Sequence, residues 1–278
     1  MTVLFSALAY SCPLILCSLG ALFTEYAGCL ALFLDGLVSF SAFLFYAFTF
    51  ATGSPIAGAI LASLAAVGLT LFFSALIEYG KANRFIAAIA LNLLFSAMTT
   101  CLSWSFFGTR GVLSDTSVTH DGSIASVFGG VTTVRATAII ITTILVALAA
   151  LFLRYSRQGL YIRIAGSNAD VLQAKGVNPG NIRRLSWSLA ALYGSTAGFL
   201  LVMRLSSFVP NISSGRGWMA LAAVFLGKKN PLRIVAAVLI FCLADIFAAN
   251  LQNYIPGIPS SVLISLPYLV SLLLILIK

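Results

Sequence analysis

Three carboxylates and one amide of this chain lie where apolar side chains surround them in sequence. Glu25, Asp35 and Asp245 fall inside or beside long apolar runs, and Asn92 sits in the middle of one. Polar groups in such surroundings are costly, and they commonly bind solutes or relay ions. Hydrogen bonding between neighbouring helices is the competing interpretation for each. These residues are the first candidates for a functional site.

Two aromatic rings and a guanidinium form a second candidate group. Phe208 and Trp218 have ring faces suited to stacking on a planar base, although aromatic residues also gather where a membrane meets water. Arg216 is expected to pair with an acid across a subunit interface or to mark the outer headgroup region. His120, the only histidine, is expected to have no catalytic role.

No catalytic constellation accompanies these residues. The chain has no Gly-Lys-Ser/Thr phosphate loop, so it is not expected to hydrolyse ATP itself. Its five cysteines lie in or beside apolar runs without Cys-x-x-Cys or Cys/His spacing. That pattern indicates packing rather than a disulfide framework or a zinc site. The sequence therefore predicts no enzyme activity, metal site or cofactor in this chain.

Composition places these candidates in a membrane protein. The 278 residues are 60% hydrophobic and only 8% charged, whereas about 25% is usual for a globular domain. Several apolar runs reach the roughly 20 residues that a helix needs to cross hydrocarbon. The net charge of +9 comes from basic residues at the ends of these runs, which is typical of topology determinants. No cationic face with interleaved aromatics is present, so nucleic-acid binding is excluded.

The hydropathy pattern predicts an all-α, polytopic bundle of about eight or nine transmembrane segments, one of them broken. The first run lacks the basic region of a signal peptide and is interpreted as a retained helix, interrupted at Pro13. The expected segments are 2–23, 29–50, 56–77, 85–102, 134–153, 185–205, 208–227, 234–250 and 261–277.

Segment 206–227 cannot be one regular helix. Pro210 and the Ser-Ser-Gly run at 213–215 interrupt it and leave a half-helix from Arg216, whose first turn Ser213 or Ser214 is expected to cap. Irregular backbone at membrane depth is tolerated only where protein or a water-filled path satisfies it. The segment is therefore expected to border a cavity, with a loop that dips in only for packing as the alternative.

The stretch 154–184 holds six of the 16 basic residues and a single acid, Asp170. Its pattern predicts a turn and helix cap at 166–168, a short helix over 169–175 and a stop at Gly176. The helix is expected to hold apolar residues on one side, which suits docking into another protein. A solvated loop without a partner is the alternative. The apolar residues in question are Ala165, Val171, Leu172 and Ala174.

Basic residues in short loops mark the cytoplasmic side of a membrane protein. With 154–184 placed inside, the segment count puts Lys81 and Arg84, the cluster 228–233 and Lys278 inside as well. The polar stretch 103–133 then falls outside, as does the N-terminus. The agreement of these clusters supports the segment count.

Several strings of the sequence resemble one family along nearly the whole chain. The string at 159–198, GLYIRIAGSNADVLQAKGVNPGNIRRLSWSLAALYGSTAG, is similar to the coupling region of ABC-transporter permeases of the simple-sugar and branched-chain amino-acid group. The continuation at 206–233, with its Gly-Arg-Gly-Trp and Asn-Pro turns, is similar to that group as well. PLILCSLGALFTEYAG at 13–28 and the Ala-Leu-Asn-Leu-Leu run at 90–94 resemble the nucleoside permeases linked to basic membrane lipoproteins.

The resemblance implies a single permease domain over 1–278, working as one subunit of an ATP-driven importer. Its implied partners are a cytosolic ATPase that binds ATP and Mg²⁺, a second permease that is a related but unlike chain, and an extracytoplasmic binding lipoprotein in a bacterial cytoplasmic membrane. Glu25, Asp35, Asn92, Phe208, Arg216 and Trp218 are the candidates for the solute path. The residues implied in coupling to the ATPase are Arg163, Gly166, Asn168, Ala174 and Gly176.

One departure from the nucleoside group affects the implied solute. Where that group has Asn-Ile-Gly-Leu-Glu-Gly, this chain has Ala-Leu-Phe-Leu-Asp-Gly at 31–36. The change extends the implied solute from a nucleoside to other ribose- or ribityl-bearing heteroaromatics such as riboflavin. Three alternatives remain open at this stage: a sugar importer, a secondary transporter with ion coupling at Glu25, Asp35 and Asp245, and a membrane-embedded enzyme.

Overall fold

The computed structural model describes residues 2–114 and 131–254 and the single residue Leu269. In these residues the regular structure is helical, apart from one antiparallel bridge between Leu113 and Phe208. The helices are α1 (Thr2–Tyr26), α2 (Leu34–Thr52), α3 (Pro55–Tyr79), α4 (Arg84–Phe107), α5 (Val131–Tyr155), α6 (Arg157–Ser167), α7 (Ala169–Ala174), α8 (Pro179–Leu205), α9 (Arg216–Leu226) and α10 (Pro231–Tyr254).

Seven helices of the described part are long and apolar enough to cross a membrane: α1 to α5, α8 and α10. Helix α9 is apolar but has only 11 residues, which confirms the half-helix expected after the break. The fold is therefore an all-helical, multi-pass membrane bundle. The predicted segment 261–277 lies outside the described residues, so the total of eight or nine segments stays a prediction.

Two expected boundaries in the N-terminal part were wrong. Helix α1 runs through Pro13 without a break, because a packed helix at membrane depth can accommodate a missing N–H donor locally. Helix α2 begins at Leu34 instead of near residue 29. Gly28 turns the chain with a φ of +76°, and the Cys29 amide donates back to the Thr24 carbonyl at 2.9 Å. The apolar residues 29–33 are therefore a buried link rather than the first turns of a helix.

The bundle has inner and outer helices. In the most apolar windows of α1, α2 and α8, 83%, 67% and 72% of the residues are buried, against 28% in α3, 22% in α4, 22% in α5 and 33% in α10. Helix α1 packs on α8, α9, α10 and α5, while α2 packs on α3, α8 and α4. The outer helices remain apolar on their exposed faces because lipid, not water, surrounds such a bundle.

Most of the basic loops meet at one end of the bundle, which we call the basic end. Arg84, at the start of α4, and Arg183, in the first turns of α8, both lie against the Glu78 carboxylate, with N–O distances of 2.8 and 3.8 Å. Lys229, in the turn before α10, pairs with Glu25 at 3.1 Å. This gathering agrees with the orientation expected from the charges. Lys278 lies outside the described residues.

Candidate functional site

Asp35 joins α2 to the start of the half-helix α9. Its Oδ1 accepts a hydrogen bond from the Ser213 hydroxyl at 2.6 Å and another from the Gly217 amide at 3.1 Å. The unpaired amides at a helix N-terminus carry a partial positive charge, which a carboxylate stabilises. Asp35 therefore caps α9 from a neighbouring helix.

The expected cap of α9 by Ser213 or Ser214 was wrong. Gly215 occupies the N-cap position with a φ of +81°, and no side chain of its own segment caps the helix. The fully buried Ser213 hydroxyl turns toward Asp35 instead. Gly217 permits this approach, because a Cβ there would stand 2.5 Å from the Asp35 amide nitrogen.

Asn92 serves the start of another helix, α2. Its Oδ1 accepts the Gly36 amide at 2.6 Å, and the N-cap residue of α2, Phe33, offers no side-chain hydrogen bond of its own. A Cβ on Gly36 would overlap the Asn92 carbonyl oxygen. Asn92 thus docks α4 on the start of α2, and Asp35, in the first turn of α2, caps α9 in turn.

Arg216 holds its own broken segment. Its Nη1 donates to the carbonyls of Ile212 and Ser213, both at 3.0 Å, which satisfies backbone acceptors that the interrupted helix leaves free. The Ser213 amide donates to the Ser39 hydroxyl at 3.3 Å. The segment before α9 is therefore fixed by α2 and by Arg216 together.

A charged group lies beside this segment, between α1, α8, α9 and α10. The Tyr10 hydroxyl donates to Asp245 Oδ2 at 3.3 Å, and the guanidinium of Arg204 lies 4.3 Å from the centre of the Tyr10 ring. Both Arg204 and Arg216 attract the Asp245 carboxylate electrostatically. Asp245 thus has basic partners inside the chain.

The remaining path candidates lie apart from each other. Phe208 is 1% exposed and packs edge-on against Phe43, with ring centres 5.5 Å apart. Trp218 is 48% exposed on the outer face of α9. Glu25 lies at the basic end, paired with Lys229. The structure therefore brings Asp35, Asn92 and Arg216 around the starts of α2 and α9 and leaves Trp218 and Glu25 outside that group.

A cavity of about 250 Å³ opens next to the broken segment. Helix α2, helix α4, the turn after α4 and the residues before α9 form its walls. Five of the nine described residues that line it carry a hydroxyl, and none of the nine is acidic. The lining residues are Ser39, Ser96, Thr99, Thr100, Ser103, Arg110, Phe208, Pro210 and Asn211.

The sequence contained a signal for this cavity that charge-based reasoning missed. The hydroxyl residues of α4 begin at Ser96 and recur three, four and seven positions later, at Thr99, Thr100 and Ser103. This spacing places them on one face of a helix. Among the predicted path residues, only Phe208 lines the cavity. Hydroxyl residues are inexpensive in a membrane helix because they bond to its backbone, so they stand out less than carboxylates do.

The coupling stretch consists of two helices rather than one. Helix α6 (Arg157–Ser167) was not expected, and Gly166, predicted in a turn, lies in its last turn. Arg163 holds this helix against α5, since its Nη2 donates to the Leu153 carbonyl at 2.7 Å. Asn168 caps α7 by accepting the Asp170 amide at 3.1 Å, and Gly176 ends the segment with a φ of +74°, both as predicted.

Gly166 lies in backbone contact with the link between α1 and α2. A Cβ at Gly166 would fall on the Tyr26 carbonyl oxygen and stand 2.7 Å from the Gly28 nitrogen. The adjoining apolar cluster consists of Ala27, Ile162, Ala165, Leu172 and Ile182. Helices α6 and α7, which we call the coupling helices, thus pack on the residues that lead into α2.

The apolar residues of this stretch do not share one face, contrary to expectation. Ala165 and Leu172 are buried in the small cluster, while Val171 is 43% exposed and Ala174 is exposed beside it. The inward residues fix α6 and α7 to the bundle. The outward ones, with the exposed Lys175, remain accessible to another protein.

The described polar groups of this site hold helices together and line a cavity. In residues 2–114 and 131–254, no three His, Cys, Asp or Glu side chains converge as a metal site would require. His120 lies outside the described residues. The site residues found here position helices or present hydroxyl groups.

Comparisons with known proteins agree with this character. A family model described as branched-chain amino acid transport system / permease component matches residues 3–277. The guanosine ABC transporter permease protein NupQ of Bacillus subtilis is 26% identical, covering 96% of this chain and 89% of its own. The nucleoside ABC transporter permease protein NupC of Lactococcus lactis is 25% identical over 98% and 90% of the two chains.

A third relative covers less of the chain. The ribose import permease protein RbsC of Escherichia coli is 30% identical over 66% of this chain and 58% of its own. No solved structure matches significantly. With a family model that spans almost every residue, the chain belongs to the branched-chain amino acid transport system / permease component family and is a transport subunit of an ABC system, not an enzyme.

Proposed function

We propose that this chain is the permease subunit of a bacterial ATP-driven importer for a nucleoside-like solute, located in the cytoplasmic membrane. The observation that carries the proposal is full-length similarity to two permeases whose names specify guanosine and nucleosides. The hydroxyl-lined cavity beside the broken segment supports a neutral, hydroxyl-bearing solute. The secondary transporter and the membrane enzyme are set aside because the family is one of ABC permeases.

A permease of this family works with an ATPase and a substrate-binding protein. We place the ATPase on α6 and α7, with ATP and Mg²⁺ bound by that partner. The seat of Gly166 on the Tyr26–Gly28 backbone supports this placement, since a push on α6 reaches the link into α2 directly. Arg163, Asn168, Ala174 and Gly176 would shape and present these helices.

The remaining partners follow from the same resemblance. The second permease is proposed to be a related but unlike chain, and the binding protein an extracytoplasmic lipoprotein. Sugar transport is the second candidate for the solute, favoured by the ribose permease and by a putative glucose permease of Haloferax volcanii that is 27% identical over 86% of this chain. A riboflavin-like solute is the third, supported by the altered 31–36 string.

Uptake by the reconstituted importer distinguishes these solutes. The chain, its ATPase, second permease and binding protein are placed in proteoliposomes that contain ATP, and entry of radiolabelled guanosine, ribose and riboflavin is measured. We expect ATP-dependent entry of guanosine, with unlabelled nucleosides competing and ribose competing weakly.

Vesicles loaded with a non-hydrolysable ATP analogue provide the control. Entry of ribose or riboflavin without guanosine would replace the proposed solute while leaving the transport role intact. Guanosine entry that persists without hydrolysable ATP would contradict the importer mechanism itself.

A further inference from the structure

The cavity beside the broken segment lies at the end of the bundle opposite the basic end. Its wall includes Arg110, in the turn after α4, and Phe208, whose backbone exchanges two hydrogen bonds of 2.9 Å with Leu113. The basic end holds the other terminus of α4, at Arg84. Under the proposed function, the cavity therefore faces the compartment from which the solute arrives.

Three of the five described hydroxyl groups that line the cavity already donate their protons to backbone carbonyls. Thr99 Oγ1 donates to the Phe95 carbonyl at 2.7 Å, and Thr100 Oγ1 donates to the Ser96 carbonyl at 3.1 Å. A hydroxyl has one proton and two acceptor lone pairs. These oxygens therefore face the cavity as acceptors.

Ser103 behaves in the same way, whereas Ser39 accepts a hydrogen bond and keeps its own proton. Ser103 Oγ donates to the Thr109 carbonyl at 2.9 Å, and Ser39 Oγ accepts the Ser213 amide at 3.3 Å. The cavity wall is thus rich in acceptors that require donors from a ligand. Arg110, at the rim, adds the opposite capacity as a donor.

Charge and size restrict the ligand. None of the described residues that line the cavity is acidic, so no carboxylate among them would compensate a cationic ligand, and away from Arg110 the acceptor oxygens of α4 disfavour an anion. Drug-sized ligands occupy roughly 300–1,000 Å³, and this cavity measures about 250 Å³. Its volume suits a single small solute with several adjacent hydroxyl donors.

We propose that this cavity binds the pentose hydroxyls of the arriving nucleoside, with Thr99 and Thr100 as acceptors for them. The proposal rests on the proposed function and adds a solute site whose wall includes Ser39, one turn of α2 beyond Asp35. The pentose hydroxyls donate to the α4 oxygens, while the base remains toward the open side of the cavity. Recognition at this point reads the sugar and not the base.

Isosteric removal of the oxygen tests the proposal. In the full importer, Thr99→Val and Thr100→Val should each lower the uptake rate of guanosine below saturation about fivefold, the value of one net hydrogen bond. Uptake of 2′,3′-dideoxyguanosine, which lacks the two ring hydroxyls, should stay at its wild-type rate. Thr99→Ser, which keeps the oxygen, should retain guanosine uptake.

The matched control is Thr70→Val in α3. Thr70 is buried and bonds to the Ala66 carbonyl at 2.8 Å, as Thr99 does to Phe95, but it does not line the cavity. It should leave both uptake rates unchanged. Equal slowing of guanosine and its dideoxy analogue in the α4 variants would show a structural role and overturn the pentose site.

The two proposals fail differently. Suppose that the wild type imports guanosine and that the α4 variants keep the wild-type ratio of guanosine uptake to dideoxyguanosine uptake. The pentose site is then wrong and the importer assignment stands. If the wild type imports no guanosine while its binding protein and ATPase are active, the proposed solute is wrong and the pentose site falls with it.

Discussion

At the scale of single residues, the polar groups in the apolar runs stabilise backbone that the fold interrupts. Asp35 supplies the cap that α9 lacks, and Asn92 supplies the cap that α2 lacks. Asp245 accepts a hydrogen bond from Tyr10 and is attracted by the guanidiniums of Arg204 and Arg216. An uncapped helix start in hydrocarbon would expose several amides to unfavourable surroundings, which explains why such costly residues are present.

Removing the Asp35 carboxylate should destabilise the protein more than neutralising it. Asp35→Ala leaves the Ser213 hydroxyl and the Gly217 amide without their acceptor, a loss of about 1–3 kcal/mol for each buried group. Asp35→Asn keeps an acceptor and loses mainly the charge at the helix terminus, about 0.3–1 kcal/mol. Thermal unfolding of the detergent-purified protein should rank the midpoints as wild type, Asn variant, Ala variant.

Asp170→Ala is the control for this series. Asp170 also lies in the first turn of a helix, α7, but it is exposed, so its loss should change stability by less than about 0.5 kcal/mol. An Asp35→Ala protein that unfolds at the wild-type temperature yet transports poorly would instead identify Asp35 as a solute contact.

At the scale of elements, residues 28–33, which are Gly28 and the buried link that follows it, connect the coupling helices to the cavity. Gly28 touches Gly166 of α6, and the link leads into the turns of α2 that carry Asp35 and Ser39. These two side chains, one helical turn apart, both contact Ser213. Movement of α6 would therefore reach the broken segment through one short, packed route.

Gly166→Ala should disturb this route, because even a methyl group would overlap the Tyr26 carbonyl oxygen. Overpacking typically costs about 1–3 kcal/mol. The population in which α6 contacts the Tyr26–Gly28 backbone should therefore fall on the order of tenfold. We expect fewer guanosine molecules transported per ATP hydrolysed, by a similar factor, measured in proteoliposomes as uptake and phosphate release together.

Gly68→Ala in α3 is the comparison, since a Cβ there meets nothing within 4 Å. It should transport and hydrolyse at wild-type rates. If Gly166→Ala, present in equal amount in the membrane, kept the wild-type ratio of uptake to hydrolysis, the contact between α6 and the link would not carry the coupling.

At the scale of the whole molecule, the coupling helices and the hydroxyl-lined cavity lie at opposite ends of the membrane-spanning helices. Ion pairs and the coupling helices occupy the basic end, and the hydroxyl-lined cavity opens toward the other. Helix α4 joins them over its 24 residues, about 36 Å at 1.5 Å per residue. Under the proposed function, solute recognition and attachment of the ATPase would lie on opposite faces of the membrane.

Labelling of single cysteines checks this orientation. In a Cys101→Ser background, which removes the exposed native thiol and leaves the four buried ones, Thr109→Cys should react with a membrane-impermeant maleimide on intact cells. Lys81→Cys, at the basic end, should react only after permeabilisation, because basic loops remain cytoplasmic. Labelling of Lys81→Cys on intact cells would invert the proposed topology.

Much of this architecture could be predicted from hydropathy and turn residues. The long apolar runs gave the described spans, and Pro210 with the 213–215 run gave the half-helix. The start of α2 could not be predicted, because residues 29–33 are as apolar as a helix, and the positive φ at Gly28 depends on how the link packs.

The site was predictable only in part. The cost of burying Asp35 and Asn92 indicated that they matter, but no sequence pattern shows that their partners are amides of Gly217 and Gly36. These pairs come from separate helices, and a crossing contact is set by tertiary packing. The hydroxyl face of α4 was readable from its spacing, yet its meaning depends on the cavity that the broken segment completes.

The more deeply buried helices have lower mean hydropathies than the outer helices. This difference has a consequence for biosynthesis. The deeply buried α8 and α2 have mean hydropathies of 1.4 and 1.5, below the 2.6 of the peripheral α5. A ribosome releases α2 long before α8, its packing partner, has been made. The contacts of α2 with α8 therefore form only after α8, with arginines near both ends, has been inserted.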